Sequence, residues 1–169
     1  TGSYFPVPKE AIGSDIEIKT YKDDSWTLGT ANIARMPMNH PGGGSCYTIT
    51  DGKRKIAYVT DNELYPPYKK NSDFLAFVEF VKGADLLIHD AQYVIEDMPA
   101  KSGWGHSVAE EAVKLAMACE VKQLALYSHD PERTDDDIDE IIAHCKMIIE
   151  VGEMDLICFG AREGQIVEF

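Results

Sequence analysis

An α/β domain in which a sheet is covered by helices is the fold class that the 169-residue sequence predicts, and three observations predict it. The first third alternates apolar and polar residues with the period of two that strands require. From Ser72 the apolar spacing changes to the three-and-four pattern of amphipathic helices. Beyond that change, short apolar runs and helical stretches take turns as β-α-β-α-β, the order of parallel strands joined by helical crossovers.

Along the chain, Ile16, Ile18 and Thr20 alternate with Glu17, Lys19 and Tyr21, and Trp26 to Met38 continues the β-like run. Residues 47–50 and 55–59 flank Asp51-Gly52, a dipeptide that tolerates positive φ and predicts a hairpin. Phe74, Leu75, Phe77, Val78 and Val81 predict one buried helix face, and residues 84–88 a short apolar strand. Ser107-Val108-Ala109-Glu110 reads as a capping box before a helix whose stripe is Val108, Ala112, Leu115, Ala116 and Cys119. Another strand follows at 123–127. The last long helix opens at Thr134 with three aspartates at the positive end of its dipole, buries Ile138, Ile141, Ile142, Cys145, Ile148 and Ile149, and ends at Gly152. Strand-like pieces at 156–159 and 165–169 close the chain.

The length fits one domain, 1–169, that buries roughly 70% of its unfolded surface. With 44% hydrophobic and 27% charged residues, disorder and repeat architectures are excluded. Apolar runs are strand-sized, so no membrane partner is expected. Cys46, Cys119, Cys145 and Cys158 form no CxxC pair and read as buried thiols of a cytoplasmic protein. A net charge of −13 disfavours nucleic acid, which is bound by neutralising phosphates with Lys and Arg.

Polar residues collect where strands stop. The run 55–60 leads into Asp61, 86–88 into His89-Asp90, and 124–127 into Ser128-His129-Asp130, while His40 precedes Pro41-Gly42-Gly43-Gly44. Ligands of open α/β sheets bind at the carboxyl ends of strands, so neighbouring strands would bring these groups to one edge. Each has a plainer reading: an Asp after a strand forms turns and caps, and a glycine triplet is a turn. Together they are the imidazoles and carboxylates that a divalent metal takes. His144, mid-helix, keeps the surface reading. His106, between Gly103-Trp104-Gly105 and the helix starting at Ser107, is either a proton donor beside a helix end that holds an anion, or a turn residue.

The ordered pieces Asn39-His40-Pro41-Gly42-Gly43, residues 57–63, residues 83–93, Gly103-Trp104-Gly105-His106-Ser107, His129-Asp130-Pro131 and Ala161-Arg162-Glu163-Gly164 resemble the ribonuclease Z and phosphodiesterase-like branch of the metallo-β-lactamase superfamily from Phe5 onward. The resemblance implies an αβ/βα sandwich of which this chain supplies mainly the C-terminal β/α half. It implies two divalent metal ions, zinc first, with manganese or iron as the other choices. His40, Asp90 and His129 are the implied metal ligands. His106 is implied near the scissile phosphate, and Asp61 as an acid that orients the ligands. The substrate expected is a small-molecule phosphoester or related ester, attacked by water activated at the metals.

The sequence departs from the pattern twice. HxHxDH, which lies in the N-terminal half of family members, is absent, so upstream sequence or a second chain must carry it; a homodimer is a separate option for the partner. Related sequences also carry two His before Asp-Pro, so either Ser128 or His129 takes the last ligand position, and side-chain alternation along a strand separates the two. The leading reading is a metal-dependent hydrolase whose site is incomplete in this chain. The alternative is a degenerate module that binds a ligand or partner without catalysis.

Overall fold

The computed structural model describes residues 13–14 and 22–168. The strand expected over 16–21 lies outside them. Seven strands form one sheet in the order of the sequence: β1 (Ser25–Leu28), β2 (Ala31–Pro37), β3 (Ser45–Thr50), β4 (Lys55–Val59), β5 (Leu86–Asp90), β6 (Gln123–Tyr127) and β7 (Ile157–Gly160). The first four are antiparallel neighbours, and β4 to β7 are parallel. Three helices, α1 (Phe74–Val81), α2 (Ala109–Ala118) and α3 (Asp135–Val151), make the crossovers. The structure is thus the mixed α/β architecture that the sequence predicts.

Register divides the sheet into two unlike faces, because side chains alternate along each strand. Ala57, Leu87, Leu124 and Cys158 stand in one row, and Val59, His89, Leu126 and Gly160 in the next. Apart from Gly160, these residues are buried and join Phe77 and Val81 of α1, Ala112, Val113 and Leu115 of α2, and Cys145 and Ile149 of α3 in the core region. Burying a Leu or Val of this kind contributes roughly 1.5–3 kcal/mol. The other face carries Ile49, Tyr58, Tyr127 and Ile157, which are 38–59% exposed. No helix of the described residues lies over it, although Glu168 reaches Gln123 there.

Several elements depart from expectation for local reasons. The run 26–38 is two strands turning at Gly29-Thr30, so β1 and β2 are a hairpin. The β3–β4 loop is longer than a two-residue turn: Asp51 Oδ1 accepts from the Lys53 and Arg54 amides, and Gly52 alone takes positive φ (90°). Leu75 is 71% exposed, one position off the face defined by Phe74, Phe77, Val78 and Val81. Ser107 does not cap α2; Val108 takes the N-cap position without a side-chain bond, because the Ser107 hydroxyl donates to the Asn62 carbonyl at 2.5 Å. Thr134 does cap α3, in a reciprocal pair with Asp137. Gly152 ends α3 with right-handed backbone; a Cβ there would lie 2.3 Å from the Met117 methyl. Residues 165–168 form no strand. The four cysteines are buried free thiols, and burial raises their pKa values to about 11 or 12. None of the helices among the described residues is long and apolar enough to cross a membrane.

Candidate active site

Because β2 and β4 run the same way and β4 to β7 are parallel, the segments that leave β2, β4, β5 and β6 emerge at one edge of the sheet. His40, Asp61, Asp90 and Ser128-His129 all leave strands at this edge. There the ligand atoms of Asp61, Asp90 and His106 lie within 4.8 Å of one another.

Asp90, the last residue of β5, is fully buried, and its carboxylate makes three bonds among the described residues. Oδ1 accepts from the Ser107 amide at 2.9 Å and the Gln92 amide at 3.3 Å, while Oδ2 meets His106 Nδ1 at 2.6 Å. The helix-end amide that sequence offered to an anion is therefore engaged by a residue of the chain itself. The hydrogen bond to Asp90 raises the His106 pKa against the opposing effect of burial, and the Asp61 and Glu63 charges act in the same direction. With Nδ1 committed to Asp90, the free ring atom of His106 is Nε2. Asp61 is exposed and holds φ of 52°, a left-handed conformation that costs a non-glycine residue free energy and is found at functional sites.

A buried polar frame that sequence reasoning missed holds this cluster. Glu63 is 3% exposed and accepts from the Gly103 and Gly105 amides at 2.9 and 3.0 Å, clamping the loop that delivers His106. Gly105 has φ of 93°, and a Cβ there would lie 2.2 Å from the His40 ring, so only glycine fits. Asn39 donates its amide to Asn62 Oδ1 and receives the Asn71 and Ser72 amides on its own side chain. Asn62 and Glu63, two polar residues after β4, are buried beside Leu64.

His40 lies beside the cluster and not within it, its ring edge-on to His106 with centroids 5.7 Å apart. Its Nδ1 accepts the Gly42 amide at 3.0 Å, so Nε2 carries the proton in this arrangement, and ligation through Nε2 requires the other tautomer. His129 is also outside the group. It faces a cavity lined by Asp135, Asp139, Gly160 and Arg162; burial lowers its pKa, and its buried Nε2 has no partner among the described residues. Ser128 before it has φ of 58°. His89, on the helix face, is fully buried with Nδ1 2.7 Å from the Asp90 carbonyl, and burial lowers its pKa. His144 is an exposed residue 3.7 Å from Glu110. The cluster thus draws Asp90 from the expected metal set and Asp61 and His106 from the expected catalytic pair.

The carboxylates of Asp61 and Asp90 are hard donors suited to a first-row divalent ion, and the His106 imidazole, its Nδ1 held by Asp90, stands beside them. Asp90 has one lone pair left once its three bonds are counted, so the residues present fit one such ion. The ligands of a second are not among them.

Comparison with known proteins follows the same lines. The family model described as "Beta-lactamase superfamily domain" matches residues 5–129. A ribonuclease Z from Brevibacillus brevis is 34% identical over 105 residues, which is 60% of this chain and 30% of the relative. A ribonuclease Z from Streptococcus mutans is 30% identical over 146 residues, 82% of this chain and 41% of the relative. Among solved structures, the metallo-β-lactamase fold protein YhfI from Bacillus subtilis superposes with a TM-score of 0.67 at 21% identity, covering 88% of this chain and 54% of that one. The short form of human tRNase Z superposes with a TM-score of 0.58 at 18% identity, covering 86% and 47%. The fold is that of the metallo-β-lactamase proteins. The chain spans less than half the length of the two curated relatives.

These relatives overturn one expectation. A small-molecule ester substrate with nucleic acid disfavoured does not stand when the curated proteins matched are ribonucleases. Net charge misled because it sums the whole chain, whereas the stretches bordering the cluster, 64–72 and 98–105, carry Lys69, Lys70 and Lys101 and no acidic residue.

Proposed function

The chain belongs to the metallo-β-lactamase superfamily, in its ribonuclease Z-like branch, and from this we propose that it provides part of the active site of a metal-dependent hydrolase of RNA phosphodiester bonds. The observation that carries the proposal is the convergence of Asp61, Asp90 and His106 at the carboxyl edge of the sheet. Asp61 and Asp90 would hold one divalent ion, zinc first, with His106 beside it, and its remaining ligands and those of a second ion come from protein outside this chain's described residues. The open sheet face, with Tyr58, Tyr127 and Ile157, is where that protein packs. A degenerate, non-catalytic module is the less favoured reading, since the matched relatives are named as enzymes.

A bound divalent ion would polarise a phosphoryl oxygen and lower the pKa of the attacking water. The chain's own residues do the rest. Asp90, fixed by the Ser107 and Gln92 amides, orients the His106 ring through Nδ1. His106 Nε2 then holds the proton that the departing alkoxide oxygen needs. Glu63, by clamping Gly103 and Gly105, keeps that nitrogen in place while the substrate binds.

The test uses the full-length protein. Elemental analysis is expected to find zinc, manganese or iron, and hydrolysis of RNA is expected to stop on chelation. A protein that takes up none of these metals, or cleaves RNA equally well after chelation, would overturn the proposal.

A further inference from the structure

We propose that Trp104, backed by Lys101, is a stacking platform for an unpaired nucleobase of RNA next to the phosphate bound at Asp61, Asp90 and His106. The inference rests on the reading of the site as an RNA phosphodiesterase centre and adds to it the strand state of the substrate and the residue that reads it.

Trp104 is 57% exposed. A single exposed aromatic ring is ordinary on a protein surface, so its setting has to carry the argument. Its two flanking glycines are fixed by Glu63, and Gly103 packs on Pro67, so the indole projects from a rigid loop. Lys101 Nζ lies 4.5 Å from the indole centroid and 5.5 Å from that of Tyr93, whose ring stands edge-on to His106 with centroids 6.0 Å apart. Cation, indole, tyrosine and catalytic imidazole thus form one continuous run of contacts. Beyond Pro67, Tyr65 is 47% exposed, stacks on Phe74 and is crossed by Lys70 Nζ at 5.4 Å.

The chemistry of this surface matches a single strand better than an apolar protein partner. Exposed rings interleaved with lysines, and no carboxylate in 64–72 or 98–105, are what base stacking and phosphate neutralisation require together. A flat ring beside the reacting phosphate can stack only on a base that is free of its partner, because bases in an A-form helix are already stacked. Lys69, Lys70 and Lys101 set cations for RNA phosphates against the Glu63, Asp90 and Asp97 carboxylates that surround Tyr93.

The experiment is steady-state cleavage by the full-length protein of a single-stranded RNA oligonucleotide, and of the same RNA made abasic at each nucleotide flanking the cleaved bond in turn. Trp104→Leu is expected to raise KM on intact RNA on the order of tenfold, and Trp104→Phe to recover most of that loss. One of the two abasic RNAs is expected to show the same rise with the wild-type protein and no further rise with Trp104→Leu. Circular dichroism of each variant checks folding. An unchanged KM for Trp104→Leu, or a loss of equal size on intact RNA and both abasic RNAs, overturns the platform while leaving the RNA reading in place. A wild-type protein that cleaves no RNA overturns both.

Discussion

At the amino ends of β4 and β5, Asp85 accepts the Lys55 amide on one oxygen at 2.8 Å and the Lys122 ammonium on the other at 2.6 Å. At the carboxyl ends of the same sheet, Asn62 Nδ2, His89 Nε2 and His129 Nε2 are buried without partners among the described residues; left-handed backbone occurs at both edges, at Asp61 and Ser128 here and at Glu120 and Glu153 there. One edge satisfies its polar groups; the other leaves several unsatisfied and holds two acids within reach of each other. The first arrangement stabilises a fold. The second costs stability, and such a cost is kept where the groups have a further task.

The largest expected effect separates the two edges by activity. Asp90→Ala in the full-length protein is expected to lower RNA hydrolysis on the order of 10³-fold, since it removes a ligand and the group that orients His106. Asp85→Ala, measured in the same assay, is expected to leave the rate unchanged. Equal losses in the two variants would erase the distinction between the edges.

Glu63→Gln tests whether the frame under the site acts on both stability and function. Its amide can accept only one of the Gly103 and Gly105 bonds and sets an N–H against the other. A stability loss of about 1–3 kcal/mol by denaturant unfolding is expected, with a fall in activity of roughly 10- to 100-fold as the loop carrying His106 loosens. Asp85→Ala should cost about 1–2 kcal/mol by the same measurement, chiefly through the Lys55 amide, because the Lys122 side chain is 74% exposed.

Asp61→Gly should move stability the other way. Glycine takes positive φ without strain, so a gain of about 0.5–1 kcal/mol is expected together with a loss of activity. A destabilised Asp61→Gly variant would mean that the left-handed turn is not strained and that the carboxylate stabilises the edge.

The sequence made the order of elements legible because the apolar period is set locally. The β6 strand and the buried stripe of α2 were readable residue by residue, since both depend only on which positions face a core. The convergence of strand-end acids was also readable, given parallel neighbours. Ser107 was misread because a capping box and a buried hydroxyl between two loops leave the same trace in sequence. Glu63, Asn39 and Asn62 were invisible for a related reason: their partners are backbone groups 23 to 42 residues away, and no local pattern encodes those bonds. The substrate expectation failed because net charge discards position, and position is what brings Lys101 beside Trp104.

The smallest effect concerns pH and belongs to the amino edge. The Lys122 ammonium, and after it the Lys55 amide, hold the Asp85 carboxyl below the usual carboxylate range. A folded pKa below the unfolded one means that the folded state releases this proton more readily. The stabilisation is therefore fully present above the unfolded value, about 4, and is lost as pH falls through the lower folded value. The unfolding free energies of the wild type and Asp85→Asn should differ by a constant amount from neutral pH down to about 5 and converge below about 4. A gap that persisted unchanged to pH 2 would show that Asp85 acts through packing and not through its charge, and the amino edge would then owe its stability to something other than satisfied polar groups.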